Sequence, residues 1–374
     1  MMENLLIAGV FLATFVGINI GGSSTGVAFG PAIGANAITR VGAGVLMSIS
    51  AIIGGWTVGR DVVLTVGNDI VAAPAFSLSA GFVVLASIGL TVLVANLLGI
   101  PTSTSMVAVG AMVGMGVGSA GVKWDVLVRI ARWWVVAPVL AFGTAAAIGR
   151  WTYDEIAAHV GVTEPATSPL RIRWAEGKPS LQIADTASRS DLVSTFLLLL
   201  IACYMGFSAG ASNVANAVAP LVGSGTVSID AAILVAVGAI SFGAFTIARR
   251  TMATVGSDLT ALPTTAAVLV ATIGATITTG LSYLGIPASL ALSTITAIIG
   301  LGWGRAKRGR NRAAPSPPAT REETVRCEKP PSFAVHPTAV TLFRGSMVAR
   351  IIAVWMVAPV AAAGAALTAT ISLV

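Results

Sequence analysis

Hydroxyl and amide side chains stand at recurring positions inside runs that are otherwise apolar, and they are the chain's candidates for chemistry. Ser23, Ser24 and Thr25 lie in Gly21-Gly22-Ser23-Ser24-Thr25-Gly26-Val27-Ala28, and Ser212, Asn213 and Asn216 lie 189 residues later in Gly210-Ala211-Ser212-Asn213-Val214-Ala215-Asn216-Ala217. Ser103, Thr104 and Ser105 follow Pro101, and Ser289 follows Pro287. These side chains carry no charge, yet each supplies O–H or N–H donors. Donors arrayed on several sides, with no fixed negative charge among them, suit a ligand that accepts hydrogen bonds. Pro followed by Ser or Thr also reads as the start of a helix, where a hydroxyl caps free N–H groups. Ordinary capping is the competing reading of Ser103, Ser289 and their neighbours.

The elements that must position these residues are written twice. Thr65-Val66-Gly67-Asn68-Asp69 returns as Thr254-Val255-Gly256-Ser257-Asp258 at the same offset of 189. The segment from Pro101 to Gly114 matches Pro287 to Gly300, and Trp134-Val135-Val136-Ala137-Pro138-Val139 matches Trp355-Met356-Val357-Ala358-Pro359-Val360. Of 374 residues 55% are hydrophobic and 10% charged, against roughly 25% charged in a soluble domain. The chain therefore reads as an all-α integral membrane protein. Candidate spans fall at 4–20, 41–59, 75–98, 104–122 and 127–149, then at 192–210, 230–248, 263–284, 288–304 and 345–372. Ten spans in two sets of five predict repeats of inverted topology, because an odd count makes the second copy enter from the opposite side.

The domains expected are a first repeat at 1–150, a polar cytoplasmic connector at 151–190, and a second repeat at 191–374. A basic, Pro-rich cytoplasmic loop at 305–342 interrupts the second repeat. Residues 305–350 hold ten Lys and Arg against three Glu, a net of +7 that equals the formal charge of the whole chain. The positive-inside rule explains a basic patch confined to one loop better than nucleic-acid binding does, and it places that loop inside and both termini outside. Its cations could also meet anionic lipid headgroups. Met1-Met2-Glu3-Asn4 has no basic lead, so Leu5–Ile20 reads as a retained span in a multi-pass plasma or inner membrane protein. Gly and Ser at the repeated motifs weaken a helix. They predict broken or re-entrant segments lining a pathway, with close helix packing as the alternative.

The motif Gly210–Ala217 resembles the GANDVANA signature of the inorganic phosphate transporter (PiT) family, and Pro101-Thr102-Ser103-Thr104-Ser105-Met106-Val107-Ala108-Val109-Gly110 resembles its P-x-S-T-T-H-x-x-x-G segment. The chain departs from both. Ser23-Ser24 and Ser212-Asn213 stand where the signature has Asn-Asp, Val27 replaces the later Asn that Asn216 keeps, Met106 stands at the signature His, and the second copy reads Leu290-Ala291-Leu292. Asn19-Ile20-Gly21-Gly22-Ser23-Ser24 and Ala95-Asn96-Leu97-Leu98-Gly99-Ile100-Pro101 look more like the family's sulfate permease branch. The resemblance implies a secondary permease of sulfate or phosphate, coupled to H+ or Na+, working by alternating access and surrounded by membrane lipid, with a homodimer allowed.

Sulfate remains a dianion that only accepts hydrogen bonds, whereas phosphate near neutral pH keeps at least one donor hydrogen. A site without carboxylate acceptors therefore leans toward sulfate. For coupling, Asp69 and Asp258 are the only acids duplicated by the repeat, with helix capping as the alternative role. Asn213 could contribute to a neutral Na+ site. Neither an enzyme nor a metal or other cofactor is expected, because no nucleophile, metal or nucleotide motif emerges. The competing functions are a passive anion channel and a non-transporting paralogue serving as subunit or sensor.

Overall fold

The computed structural model describes residues 2–72, 76–98, 102–119, 121–160, 170–175, 178–183, 188–246, 263–312 and 345–373. In hydrocarbon every backbone N–H and C=O must find its partner within the protein, so apolar runs poor in charge resolve as helices. The first part of the chain forms α1 (Met2–Gly34), α2 (Arg40–Thr57), α3 (Gly59–Leu64), α4 (Leu78–Leu97), α5 (Thr104–Gly118), α6 (Trp124–Trp151) and α7 (Tyr153–Val160). The second part forms α8 (Arg189–Gly223), α9 (Ile229–Thr246), α10 (Thr264–Tyr283), α11 (Leu290–Arg312) and α12 (Gly345–Leu373). Eight of these, α1, α2, α4, α6, α8, α9, α10 and α12, are long and apolar enough to cross a membrane. Helix α5 is apolar but only 15 residues long, and α11 ends in the basic run Arg305-Ala306-Lys307-Arg308. The connector departs from an all-helical reading: β1 (Leu170–Ala175) and β2 (Lys178–Ile183) pair as an antiparallel hairpin.

The repeated motifs do not break their helices. Helix α1 runs 33 residues straight through Gly21–Ala28, and α8 runs 35 residues through Gly210–Ala217. At about 1.5 Å per residue each is near 50 Å long, well beyond the 4–20 and 192–210 expected. Two physical reasons account for this. The small hydroxyl side chains satisfy themselves within the helix: Thr25 Oγ1 donates to the Gly21 carbonyl at 2.6 Å and Ser23 Oγ to that of Ile20 at 3.0 Å. The glycines, meanwhile, are places of close helix approach. A Cβ on Gly21 would collide with the Ile240 carbonyl of α9, and one on Gly210 with the Ala51 carbonyl of α2. The close backbone packing at these crossings offsets the roughly 1 kcal/mol that glycine costs inside a helix.

The crossings occur in matched sets. Gly21 against Ile240 and Gly210 against Ala51 differ by 189 in both partners, and so do Gly54 against Phe207 and Gly243 against Ile18. Thus α1 packs on α9 while α8 packs on α2, each reaching across to the other part of the chain. The same exchange holds where Gly114 of α5 meets Ala363 of α12 and Gly300 of α11 meets Phe142 of α6. Apolar side chains of α1, α2, α4, α5, α8 and α9 fill one contiguous core that includes Phe29, Met47, Ile88, Met112 and Ile233. A smaller cluster, with Ala141, Ala145, Val270 and Leu301, joins α6, α10 and α11. Leu90, Val139, Phe242 and Val360 remain exposed on the outer faces, as lipid-facing positions require.

The irregular backbone lies elsewhere. After α3 the chain makes a π-turn at Thr65–Asp69, a rare form found most often at functional positions. Its Gly67 is pressed against Ala219 and Gly223 of α8. Residues 70–72 then pair with 121–123, through Ala72 N–H to the Gly121 carbonyl (2.8 Å) and Lys123 N–H to the Ile70 carbonyl (2.9 Å).

Candidate functional site

Five of the expected residues meet at one point. Ser24 comes from α1, Thr104 and Ser105 from the first turn of α5, and Asn213 and Asn216 from the middle of α8. Thr104 Oγ1 donates to Asn213 Oδ1 at 2.9 Å, and Asn216 Nδ2 lies 3.0 Å from the same oxygen. Asn216 Nδ2 also reaches Thr104 Oγ1 and Ser105 Oγ, both at 3.1 Å. Asn213 Nδ2 donates to Ser24 Oγ at 3.4 Å. Asn216 and Ser105 are buried, Asn213 is 8% exposed, and Ser24 and Thr104 are intermediate. The cluster therefore has a sealed side at Asn216 and Ser105 and an accessible edge at Ser24, Asn213 and Thr104.

Two helix starts frame the cluster. Ser103 caps α5, its Oγ accepting from Met106 N–H at 3.4 Å, and Ser289 caps α11, its Oγ accepting from Leu292 N–H at 3.2 Å. Ser105 Oγ donates to the Ala288 carbonyl at 3.0 Å and so ties the two starts together. The first N–H groups of a helix have no partner within it, and its dipole makes that end positive. The cluster thus sets amide and hydroxyl donors beside such an end, with no carboxylate among its named groups.

The other expected residues have local roles. Ser23 and Thr25 bond back to their own helix, while Ser103 and Ser289 are spent on capping, the competing reading made for them. Ser212 is buried one turn before Asn216, and neither Ser212 Oγ nor Asn216 Oδ1 has a partner among the described residues. Of the coupling candidates, Asn213 is at the centre of the cluster. Asp69 ends the π-turn, half-buried and outside the cluster. It does not cap α4, because Ser77 does, accepting from Ala80 N–H at 3.2 Å. Asp258 lies outside the described residues. A pair beyond the expected set joins α4 to α1: Asn96 Nδ2 donates to Asn19 Oδ1 at 3.3 Å, and Asn19 Nδ2 to the Phe15 carbonyl at 2.9 Å. Both residues stand in the two segments that look like the sulfate permease branch, but nothing in the sequence marks them as a pair.

A model of the phosphate transporter family, described by that name, matches residues 20–366. The chain belongs to this family. Sulfate permease CysP of Bacillus subtilis is 31% identical over 82% of the chain and 78% of its own length. The chloroplastic inorganic phosphate transporter 2-1 of Arabidopsis thaliana is 24% identical over 85% of the chain and 68% of its own length. Among solved structures, a sodium-dependent phosphate transporter superposes with a TM-score of 0.73, covering 99% of both chains at 21% identity, which shows a shared fold. The protein is accordingly a multi-pass membrane transporter, and its relatives are permeases rather than enzymes.

Proposed function

We propose that this family member is a secondary transporter of an inorganic tetrahedral oxyanion, sulfate or phosphate, working by alternating access between two inverted five-helix repeats. One observation carries the reading. Ser24 and Asn213 occupy equivalent positions 189 residues apart and hydrogen-bond to each other, so the polar cluster lies on the axis that would relate the repeats. Transporters built this way bind substrate at the repeat interface. The crossed packing of α1 on α9 and α8 on α2 supports repeats at 1–150 and 191–374, and the basic charge of 305–342 supports a cytoplasmic side for that insertion and, by alternation of the spans, for 151–190.

Substrate would bind by exchanging hydrogen bonds within the cluster for hydrogen bonds to the anion. Ser24 and Asn213 would donate directly, Thr104, Ser105 and Asn216 would hold Asn213, and Ser103 and Ser289 would keep the two helix starts aimed at the site. Asp69 and Asp258 remain candidates for H+ or Na+ coupling, Asn213 for a neutral Na+ contact, and the arrangement allows a homodimer in lipid. The test is uptake of radiolabelled sulfate and phosphate into proteoliposomes under an imposed proton gradient, a sodium gradient, or neither. Concentrative uptake of either ion under one gradient is expected. Flux without accumulation would indicate a passive channel. Uptake of neither would favour a subunit or sensor, a reading to which the drift of the first signature, Ser23-Ser24 and Val27 in place of its Asn-Asp and later Asn, lends weight.

A further inference from the structure

The ends of α6 and α11 carry rings and cations in a fixed order. The two helices run parallel and in close contact: a Cβ on Gly300 would meet the Phe142 carbonyl, and one on Gly304 the Ala146 carbonyl and the Arg150 amide. Both therefore leave the apolar layer at the same place. The Phe142 and Trp303 rings stand 5.7 Å apart, centroid to centroid, and Lys307 Nζ lies 4.2 Å over the Trp303 ring. Phenyl, indole and ammonium thus follow one another along one seam from hydrocarbon toward water, and indole rings favour the headgroup level. Further into the apolar layer, Val135, Val136, Val139 and Leu140 of α6 are exposed.

Four cations gather at this end, and they are not alike. Arg308 is used within the fold: its guanidinium donates to the Arg150 and Trp151 carbonyls at 3.3 and 2.9 Å, closing the end of α6, and pairs with Asp154 of α7 at 3.1 Å. Arg305 lies 4.3 Å over the ring of Tyr153, which is only 5% exposed. Arg150 and Lys307 continue the seam one turn beyond Ala146 and Gly304, and neither has a carboxylate partner among the described residues. Their neighbours are instead the rings of Trp151 and Trp303, both exposed. A cation held over a ring keeps N–H donors for another acceptor.

We infer that Arg150 and Lys307 bind the phosphate of an anionic phospholipid, with Trp303 at the level of its glycerol and its acyl chains along Phe142, Val139 and Leu140. Unpaired cations beside lipid-facing apolar side chains fit an amphiphile that joins charge to hydrocarbon; a soluble anion leaves the apolar half unused. The general attraction of a basic loop to an anionic leaflet needs no fixed geometry. Here one cation comes from each part of the chain, so the bound lipid bridges α6 and α11. The inference does not depend on the transport reading above.

The experiment follows thermal unfolding of the delipidated full chain in neutral detergent with added phosphatidylglycerol, phosphatidylcholine of the same acyl chains, or inorganic phosphate. Phosphatidylglycerol should raise the midpoint of the wild type, and phosphatidylcholine should do so far less. Arg150→Gln combined with Lys307→Gln should raise the half-saturating phosphatidylglycerol concentration about 30-fold. Lys307→Gln alone should raise it about fivefold and gives a second reading if the double variant folds poorly. Arg321→Gln combined with Lys329→Gln, two cations of the 305–342 loop, should leave it unchanged. Any midpoint shift from inorganic phosphate should survive both double substitutions. No response to phosphatidylglycerol, or an equal response to phosphatidylcholine, would overturn the inference. So would an equal loss in the two double variants, which would show diffuse attraction in place of a site, and so would a phosphate response abolished by the Arg150 and Lys307 substitutions, which would assign the pair to a free anion.

Discussion

The two copies of the repeated motif keep the same glycines and differ in their polar groups. On α1, Gly21 admits α9 as Gly210 on α8 admits α2, but Ser23 and Thr25 turn their hydroxyls back onto their own helix. On α8, Asn213 and Asn216 turn outward to Thr104 and Ser105. The positions that match this quartet by the repeat offsets are Ser24, Val27, Leu290 and Ala291, with a single hydroxyl among them. Both copies need glycine at the crossing because a side chain at either position would meet a carbonyl. The side chains face no such constraint, so the polar chemistry has concentrated in the second copy and its partner turn on α5.

That asymmetry can be broken most severely at Asn216. Replacing it with Leu removes the amide that donates to Ser105, Thr104 and the Asn213 oxygen, and uptake should fall by roughly 100-fold, since each of the three lost hydrogen bonds is worth about 1 kcal/mol. Full-rate uptake by Asn216→Leu would remove the cluster from the transport path. Next in size is Gly210→Val, whose side chain must displace the Ala51 carbonyl; thermal unfolding in detergent should register a loss of about 2–3 kcal/mol. Gly21→Val should match it, and a marked inequality would show that the two crossings are not equivalent.

Smaller effects sharpen the contrast. Thr104→Val removes one neutral donor, worth about 1 kcal/mol, and should lower initial uptake several-fold, whereas Val27→Ala in the first copy should cost about 1 kcal/mol of stability and leave uptake within twofold. Comparable losses in uptake from both would contradict a one-sided site. Smallest should be Arg60→Gln. Arg60 pairs with Asp230 at the start of α9 and lies 5.2 Å over the Trp56 ring, but both partners are substantially solvent-exposed, and surface pairs contribute about 0–1 kcal/mol. A melting shift of only a degree or two, with uptake unchanged, is the expected result.

Much of this was legible in the residues themselves. Ser24, Thr104, Ser105, Asn213 and Asn216 all stood out as neutral donors at paired positions in apolar runs, and all five meet. The helical course of the chain followed from charge-free stretches, because hydrocarbon leaves the backbone few alternatives. What went astray was the local behaviour of the motifs. Glycine and serine predict a weakened helix when propensity alone is weighed, yet α1 and α8 continue because packing against α9 and α2 outweighs propensity. Asn19 and Asn96 escaped notice as a pair because nothing local connects residues 77 positions apart.

By itself, the sequence determined that this is a membrane protein, that its elements come in two matched sets, and that its candidate binding groups are donors without charge. These are properties of composition and spacing, and they survive any arrangement of the helices. Only the tertiary structure decided that the two sets interlock, with α1 on α9 and α8 on α2, and that α5 delivers Thr104 and Ser105 to Asn213 and Asn216 across more than 100 residues of chain. It also decided which way each hydrogen bond runs. Direction is set by the Ala288 carbonyl, a backbone group present at every position of the sequence, whose role depends entirely on which side chain the fold brings within 3.0 Å of it.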